Sequence, residues 1–279
     1  MLDAILNYEF LQNAFISGLI IGVIAPLLGV FIVVRKLSLI ADALSHVTLT
    51  GIAASLLLSK EFPAMFANLN PLYLGMGFSV GGSLFIERLR SVYKHYQELA
   101  IPIILSGGVG LGAIFISMAN GFNVDLFSYL FGSVSAVGRT DLWVITIISV
   151  IVVFTVIFLY KELFLLSFDE EHAKTSGISA KTIHFIFIVL VALVIAISMR
   201  IVGVLLVSAL MTLPVAAALK VAKSFKQTIF VSILFGEIAV IGGLFSAYYL
   251  NLAPGGTIVV LAILVLLATI LFKKWQVNR

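Results

Sequence analysis

Runs of about twenty apolar residues recur along almost the whole chain, each long enough to cross a bilayer core as a helix. On that basis the 279-residue sequence predicts spans at 10–34, 37–58, 64–86, 100–119, 141–160, 182–199, 201–218, 228–249 and 255–272. The sixth and seventh part at Met199-Arg200. Joined as one span with a short re-entrant piece, they would leave eight spans rather than nine. Residues 1–9 read as an interfacial lead-in, since no basic region precedes the first apolar run as a signal peptide requires. The expected fold is all-α, a polytopic membrane bundle in one transmembrane domain over residues 1–279.

Charge supplies the orientation. With the N-terminus outside, fourteen Lys and Arg fall in inside segments and three, Lys60, Arg139 and Arg200, fall outside. That asymmetry follows the positive-inside rule and places the C-terminus inside. Arg35-Lys36 then reads mainly as a topology anchor, with docking of a soluble partner as the other role. The longest polar gap, 161–181, lies inside. There Asp169 can cap a short helix opened by Glu170 and Glu171, and Gly177 can end it. Phe164, Leu165, Leu166 and Phe168 would lie at the interface, so the segment suits docking to a cytoplasmic protein.

Composition narrows the chemistry. Hydrophobic residues make up 62% of the chain and charged residues only 11%, which marks an integral membrane protein. The net charge of +4 sits in short gaps, without the aromatic-interleaved basic cluster that nucleic acid would need. Cysteine is absent, which excludes disulfide and thiolate chemistry. No phosphate-binding loop, Gly-Xaa-Ser-Xaa-Gly or His-Glu-Xaa-Xaa-His motif occurs, so an enzyme is not expected. The 22 glycines are spread through the spans, as close helix packing in lipid favours.

Against that background a few residues stand out. Asp42 and His46, four apart in the second span, share one helical face. Ionisable groups at membrane depth are costly and usually face a bundle interior or an aqueous path. A carboxylate beside an imidazole can ligate a divalent transition metal, while the plainer alternative is a helix–helix contact with His46 bonded to a backbone carbonyl. Two ligands are short of the four or more such an ion takes, leaving the remainder to a second copy of the chain or to water. Glu237, in the eighth span, either lines the path or bonds a neighbouring hydroxyl. Pro214 removes a helical hydrogen bond and either kinks the seventh span for packing or serves as a gate hinge, and Pro26 offers the same pair of readings. His184 is expected to snorkel to the interface; His95 and His172 lie in cytoplasmic segments and make poor ligands.

Four stretches resemble the permeases of bacterial ABC importers for zinc, manganese and iron, the ABC-3 family, in the family's order and over nearly the whole length. They are Gly22-Val-Ile-Ala-Pro-Leu-Leu-Gly-Val-Phe-Ile-Val-Val-Arg35, Ser38-Leu-Ile-Ala-Asp-Ala-Leu-Ser-His46, Leu166-Ser-Phe-Asp-Glu-Glu-His-Ala-Lys-Thr-Ser-Gly-Ile178 and Val202-Gly-Val-Leu-Leu-Val-Ser-Ala-Leu-Met-Thr-Leu-Pro-Val-Ala-Ala-Ala218. The resemblance implies a type II-like importer permease in the bacterial cell membrane. It implies a homodimer with the path near its axis, a cytoplasmic ATP-binding subunit and an external metal-binding protein. It also implies metal-pathway roles for Asp42 and His46, and partner docking by Phe168, Asp169, Glu170, Glu171 and Gly177. The Ile40-to-Gly51 form resembles zinc members more than manganese ones, so zinc is the expected cargo and manganese the alternative. A stand-alone secondary carrier would need paired inverted repeats, and none is detected. A membrane-embedded enzyme would need more catalytic groups than Asp42, His46 and Glu237 provide.

Overall fold

A computed structural model describes residues 7–66, 69–93, 95–119 and 124–277. Residues 1–6 of the expected lead-in, Lys94, Arg279 and the side chains of Glu170 and Lys174 lie outside the described residues. Among those described there are helices and no strand. The principal ones are α1 (Glu9–Val34), α2 (Ser38–Glu61), α4 (Pro71–Val92), α5 (Ala100–Met118), α7 (Arg139–Phe158), α10 (Ala180–Val202), α11 (Val207–Val221), α12 (Phe225–Leu250) and α13 (Pro254–Val277). Four short helices join them: α3 (Pro63–Phe66), α6 (Val124–Phe131), α8 (Tyr160–Phe168) and α9 (Glu170–Thr175).

Among the described residues, seven helices are long and apolar enough to cross a membrane. They correspond to the expected spans at 10–34, 37–58, 100–119, 141–160, 182–199, 228–249 and 255–272. The other two expected spans are helices of a different kind. The 64–86 span is displaced to Pro71–Val92, because Pro71 sits in the first turn and Asn70 caps it, its side chain accepting from the Leu72 N–H at 3.0 Å. The same helix then runs on through Glu87, Arg88 and Arg90. The 201–218 span becomes α11, whose 15 residues extend only about 22 Å. Nor does the break fall at Met199-Arg200. Helix α10 continues to Val202, and Gly203, at φ +86°, begins the interruption before α11.

That interruption is paired rather than bare. Val204 N–H donates to the Tyr129 carbonyl at 2.8 Å, and Ser133 N–H to the Arg200 carbonyl at 3.1 Å. Buried irregular backbone needs such partners because water does not reach it. Beside it, the Arg200 guanidinium donates to the Ala136 carbonyl (2.8 Å) and Asn70 (3.2 Å), approaches Asp141 at 3.7 Å and lies over the Tyr129 ring. Asn70 in turn donates to Asp141 at 2.7 Å, so the starts of α4 and α7 and the end of α10 are fastened together.

Helices α1, α2 and α10 form the interior, while α5, α7 and α13 show most of their surface outward. Those outward faces carry Trp143, Phe154, Phe158 and Leu271, each more than half exposed, as a lipid-facing surface requires. Helices approach closely through glycine. Val47 of α2 would strike a methyl group at Gly82 of α4 or Gly108 of α5, with ideal Cβ distances of 2.8 and 2.9 Å. Hydroxyls add polar links between helices, Thr50 to the Gly108 carbonyl (2.6 Å) and Ser79 to that of Ala192 (3.0 Å).

Candidate functional site

Helix α2 places the site. A tight connection starts it: Lys36 takes φ +56°, and Leu37 N–H reaches back to the Ile32 carbonyl at 2.9 Å, closing α1 with a Schellman-type turn. Three residues therefore separate α1 from α2, which runs back between α4 and α5. Nearly every residue from Ile40 to Ser55 is buried, but Asp42 and His46 keep partial access.

The two side chains meet different surroundings. Ser208, in the first turn of α11, donates to Asp42 Oδ1 at 3.2 Å. A hydroxyl so placed orients a carboxylate and leaves its other oxygen for a further partner, the usual task of groups behind a metal ligand. His46 lines a groove of about 440 Å³ between α2 and α5, with Leu49, Gly108, Gly112, Ile116 and Ser117 around it. Gly108 and Gly112 let α5 approach α2 closely there, since a Cβ at either would meet Val47 at 2.9 Å or Thr50 Oγ1 at 3.1 Å. The helical spacing puts the carboxylate and the imidazole one turn apart on α2, and the return of the chain after Gly203 brings Ser208 to Asp42. Among the described residues no group of three or more His, Asp or Glu could hold a metal ion.

Glu237 lies elsewhere. It packs from α12 onto α1, its Oε1 only 2.7 Å from where a Cβ on Gly22 would stand. That oxygen is buried without a hydrogen-bond partner. Pro214 is inside α11, which stays helical from Val207 to Val221. The interruption lies upstream, at residues 203–206, where a positive-φ glycine starts it.

Segment 161–181 folds as its residues suggest. Asp169 Oδ1 accepts from the His172 N–H at 2.8 Å, capping α9. Gly177 at φ +81° ends it, with Ile178 N–H reaching the Ala173 carbonyl at 3.1 Å. Ala173 anchors α9 as a buried residue, while Glu171 and His172 face outward. Phe168 is 61% exposed yet touches Phe164 (4.9 Å between centroids) and Phe225 (5.7 Å), which ties α8 to the start of α12. Of the interface set, Leu166 is buried instead.

The largest departure is His184. It does not snorkel: it is 8% exposed, held between Arg35 of α1 and the last turns of α4. A lone histidine at a helix start carries no sign of partners 94 and 149 residues away.

The ABC 3 transport family matches residues 7–273. The chain belongs to that family. A Treponema pallidum (strain Nichols) protein named "Probable metal transport system membrane protein" is 35% identical over 274 residues, 98% of each chain. The "Manganese transport system membrane protein MntC" of Listeria monocytogenes is 32% identical, over 99% of this chain and 95% of the relative. Among solved structures, "PsaBC from Streptococcus pneumoniae in complex with Fab" superposes with a TM-score of 0.83 at 33% identity, covering 96% of this chain and 93% of that one. This member of the ABC 3 family is a multi-pass membrane protein, with its Asp42, His46 and Ser208 constellation on α2 and α11.

Proposed function

We propose that this chain is the permease subunit of an ATP-driven importer of a divalent metal ion, with manganese as cargo. The observation that carries the reading is the pairing of Asp42 with Ser208 on the helical face that also presents His46. Family membership supports the importer, and the Listeria relative, named for manganese, favours that ion over the zinc expected from the Ile40-to-Gly51 motif. A mixed imidazole and carboxylate set suits either metal; oxygen ligands weight it toward manganese.

Two ligands per chain call for a second contributor. A homodimer about a two-fold axis would present Asp42 and His46 twice and complete four ligands. ATP hydrolysis falls to a separate cytoplasmic subunit, since this sequence has no phosphate-binding loop. Segment 161–181, with Phe168, Asp169, Glu170, Glu171 and Gly177, is the docking site for that subunit, and an external metal-binding protein delivers the ion. Uptake of radioactive manganese and zinc into proteoliposomes of the full complex tests this. Manganese uptake should require ATP and exceed zinc uptake. Accumulation without ATP would make the protein a secondary carrier, and a zinc preference would reverse the choice of cargo.

Docking has its own test. A Cβ at Gly177 would meet no atom within 4 Å, so Gly177→Val is burdened only by its positive φ, about 1 kcal/mol. Combined with Glu171→Arg, it should leave the permease folded while reducing co-purification of the ATP-binding subunit at least ten-fold. Undiminished co-purification with normal transport would place docking elsewhere.

A further inference from the structure

A cationic groove opens where α1 ends, α4 ends and α10 begins. Two adjoining cavities, of about 260 and 830 Å³, share Arg35 and Arg90 in their walls. The smaller adds Glu87, Lys181 and His184, giving three fixed cations to one carboxylate. The larger adds Lys36 and Glu98, and beyond them Leu39 and Leu99. The charge bias of the sequence puts this end of the bundle at the cytoplasmic leaflet.

The hydrogen bonding inside the groove has too many donors. Arg35 Nη2 is 2.6 Å from His184 Nδ1, Arg90 Nη1 is 2.7 Å from Nε2, and Glu87 Oε2 is 3.0 Å from Nε2. A guanidinium only donates, and a neutral imidazole has a single acceptor nitrogen. With Arg35 donating to Nδ1, the Nε2 position carries the N–H, which stands 3.0 Å from Glu87 Oε2 without a hydrogen bond to it. Arg90 then faces an N–H, so its acceptors are Gln97 Oε1 at 3.2 Å, Glu87 at 3.6 Å and whatever enters the cavity. Its side chain is 21% exposed, directed at that space but partly out of water. Such a site favours an anion rich in acceptor oxygens.

The walls say which anion. Leu39 and Leu99 are 63% and 48% exposed, and Tyr96, also in the wall, is 70% exposed. Past Leu99, α5 continues outward-facing and apolar with Ile103. A charged floor continuous with a bare apolar flank at the interface matches a lipid, with headgroup at one end and chains at the other.

We propose that this groove binds an anionic phospholipid of the cytoplasmic leaflet, its phosphate between Arg35 and Arg90 beside Lys36 and Lys181, its chains along Leu39 and Leu99. A soluble phosphate would leave the apolar flank uncovered, and a carboxylate from a partner protein would not extend along it. Metal uptake and lipid retention are separate measurements, so the proposal stands or falls apart from the transport reading.

The test is native mass spectrometry of the purified full-length permease, titrated with phosphatidylglycerol and, in parallel, phosphatidylcholine. Phosphatidylglycerol should be retained at least ten-fold more tightly. Lys36→Gln/Lys181→Gln, two surface changes that leave the buried His184 contacts in place, should weaken it about 25-fold, roughly five-fold per lost charge. Glycerol phosphate should compete poorly because it has no chains. Equal retention of the two lipids would overturn the proposal without any variant. So would an unchanged affinity in the double variant, displacement by glycerol phosphate as effective as by the lipid, or loss of the lipid when the ATP-binding subunit is added.

Discussion

Manganese uptake by proteoliposomes of the complete transporter should fall to background in Asp42→Asn and His46→Ala, with expression and melting temperature close to the parent. The expectation rests on how the two residues are held. Both lie on a helix otherwise buried from Ile40 to Ser55, both keep partial access, and neither fills a hole in the apolar core. Truncating them therefore removes chemistry without opening a cavity. Ser208→Ala provides the graded case. It keeps both ligands but loses the 3.2 Å hydroxyl that orients Asp42, and groups in that role are worth about 10- to 100-fold in metal affinity. Half-maximal uptake should move to roughly ten-fold higher manganese, with the maximal rate largely kept. His46→Asp should retain manganese uptake and lower that of zinc, since an added carboxylate favours the harder ion. A well-folded Asp42→Asn/His46→Ala double variant that still transports would remove α2 from the path.

What the sequence made legible was whatever is local. Apolar runs of spanning length marked seven helices, and the acidic start and Gly177 end of α9 were readable because capping involves residues three to five apart. Asp42 and His46 could be paired for the same reason: they are one helical turn apart. The features missed depend on long-range contacts. Nothing near His184 predicts burial between Arg35 and Arg90, and nothing near Arg200 predicts Asn70, 130 residues away. Ser208 is one hydroxyl among small apolar residues until the fold sets it against Asp42. The break expected at Met199-Arg200 lies a few residues further on. The chain is interrupted instead where Gly203 allows a backbone that other residues resist, and α6 supplies the hydrogen bonds.

Gly203→Val should be the most damaging single substitution tested, lowering stability by about 3–5 kcal/mol and greatly reducing folded yield. Gly203 has φ +86° and ψ 152°, a region essentially reserved for glycine, at a cost of about 1–3 kcal/mol for other residues. Space is lacking as well. A Cβ there would press on the Leu130 carbonyl and approach Gly132 N and Phe131 C at 2.6 Å, all of them backbone atoms at the end of α6. Relief by moving either strand of chain would break the Val204 to Tyr129 and Ser133 to Arg200 hydrogen bonds in a setting where water cannot replace them. The same shift would carry Ser208 away from Asp42, so surviving protein should also bind manganese more weakly. Gly177→Val is the internal comparison, with a similar φ of +81° but open space around its Cβ. Thermal unfolding of both variants in detergent compares a positive-φ substitution in open space, Gly177→Val, with one that adds the collision and the lost pairing, Gly203→Val. If the two melted within a degree or two of each other, the junction of α6, α10 and α11 would not be the rigid seat of the site that its hydrogen bonds imply.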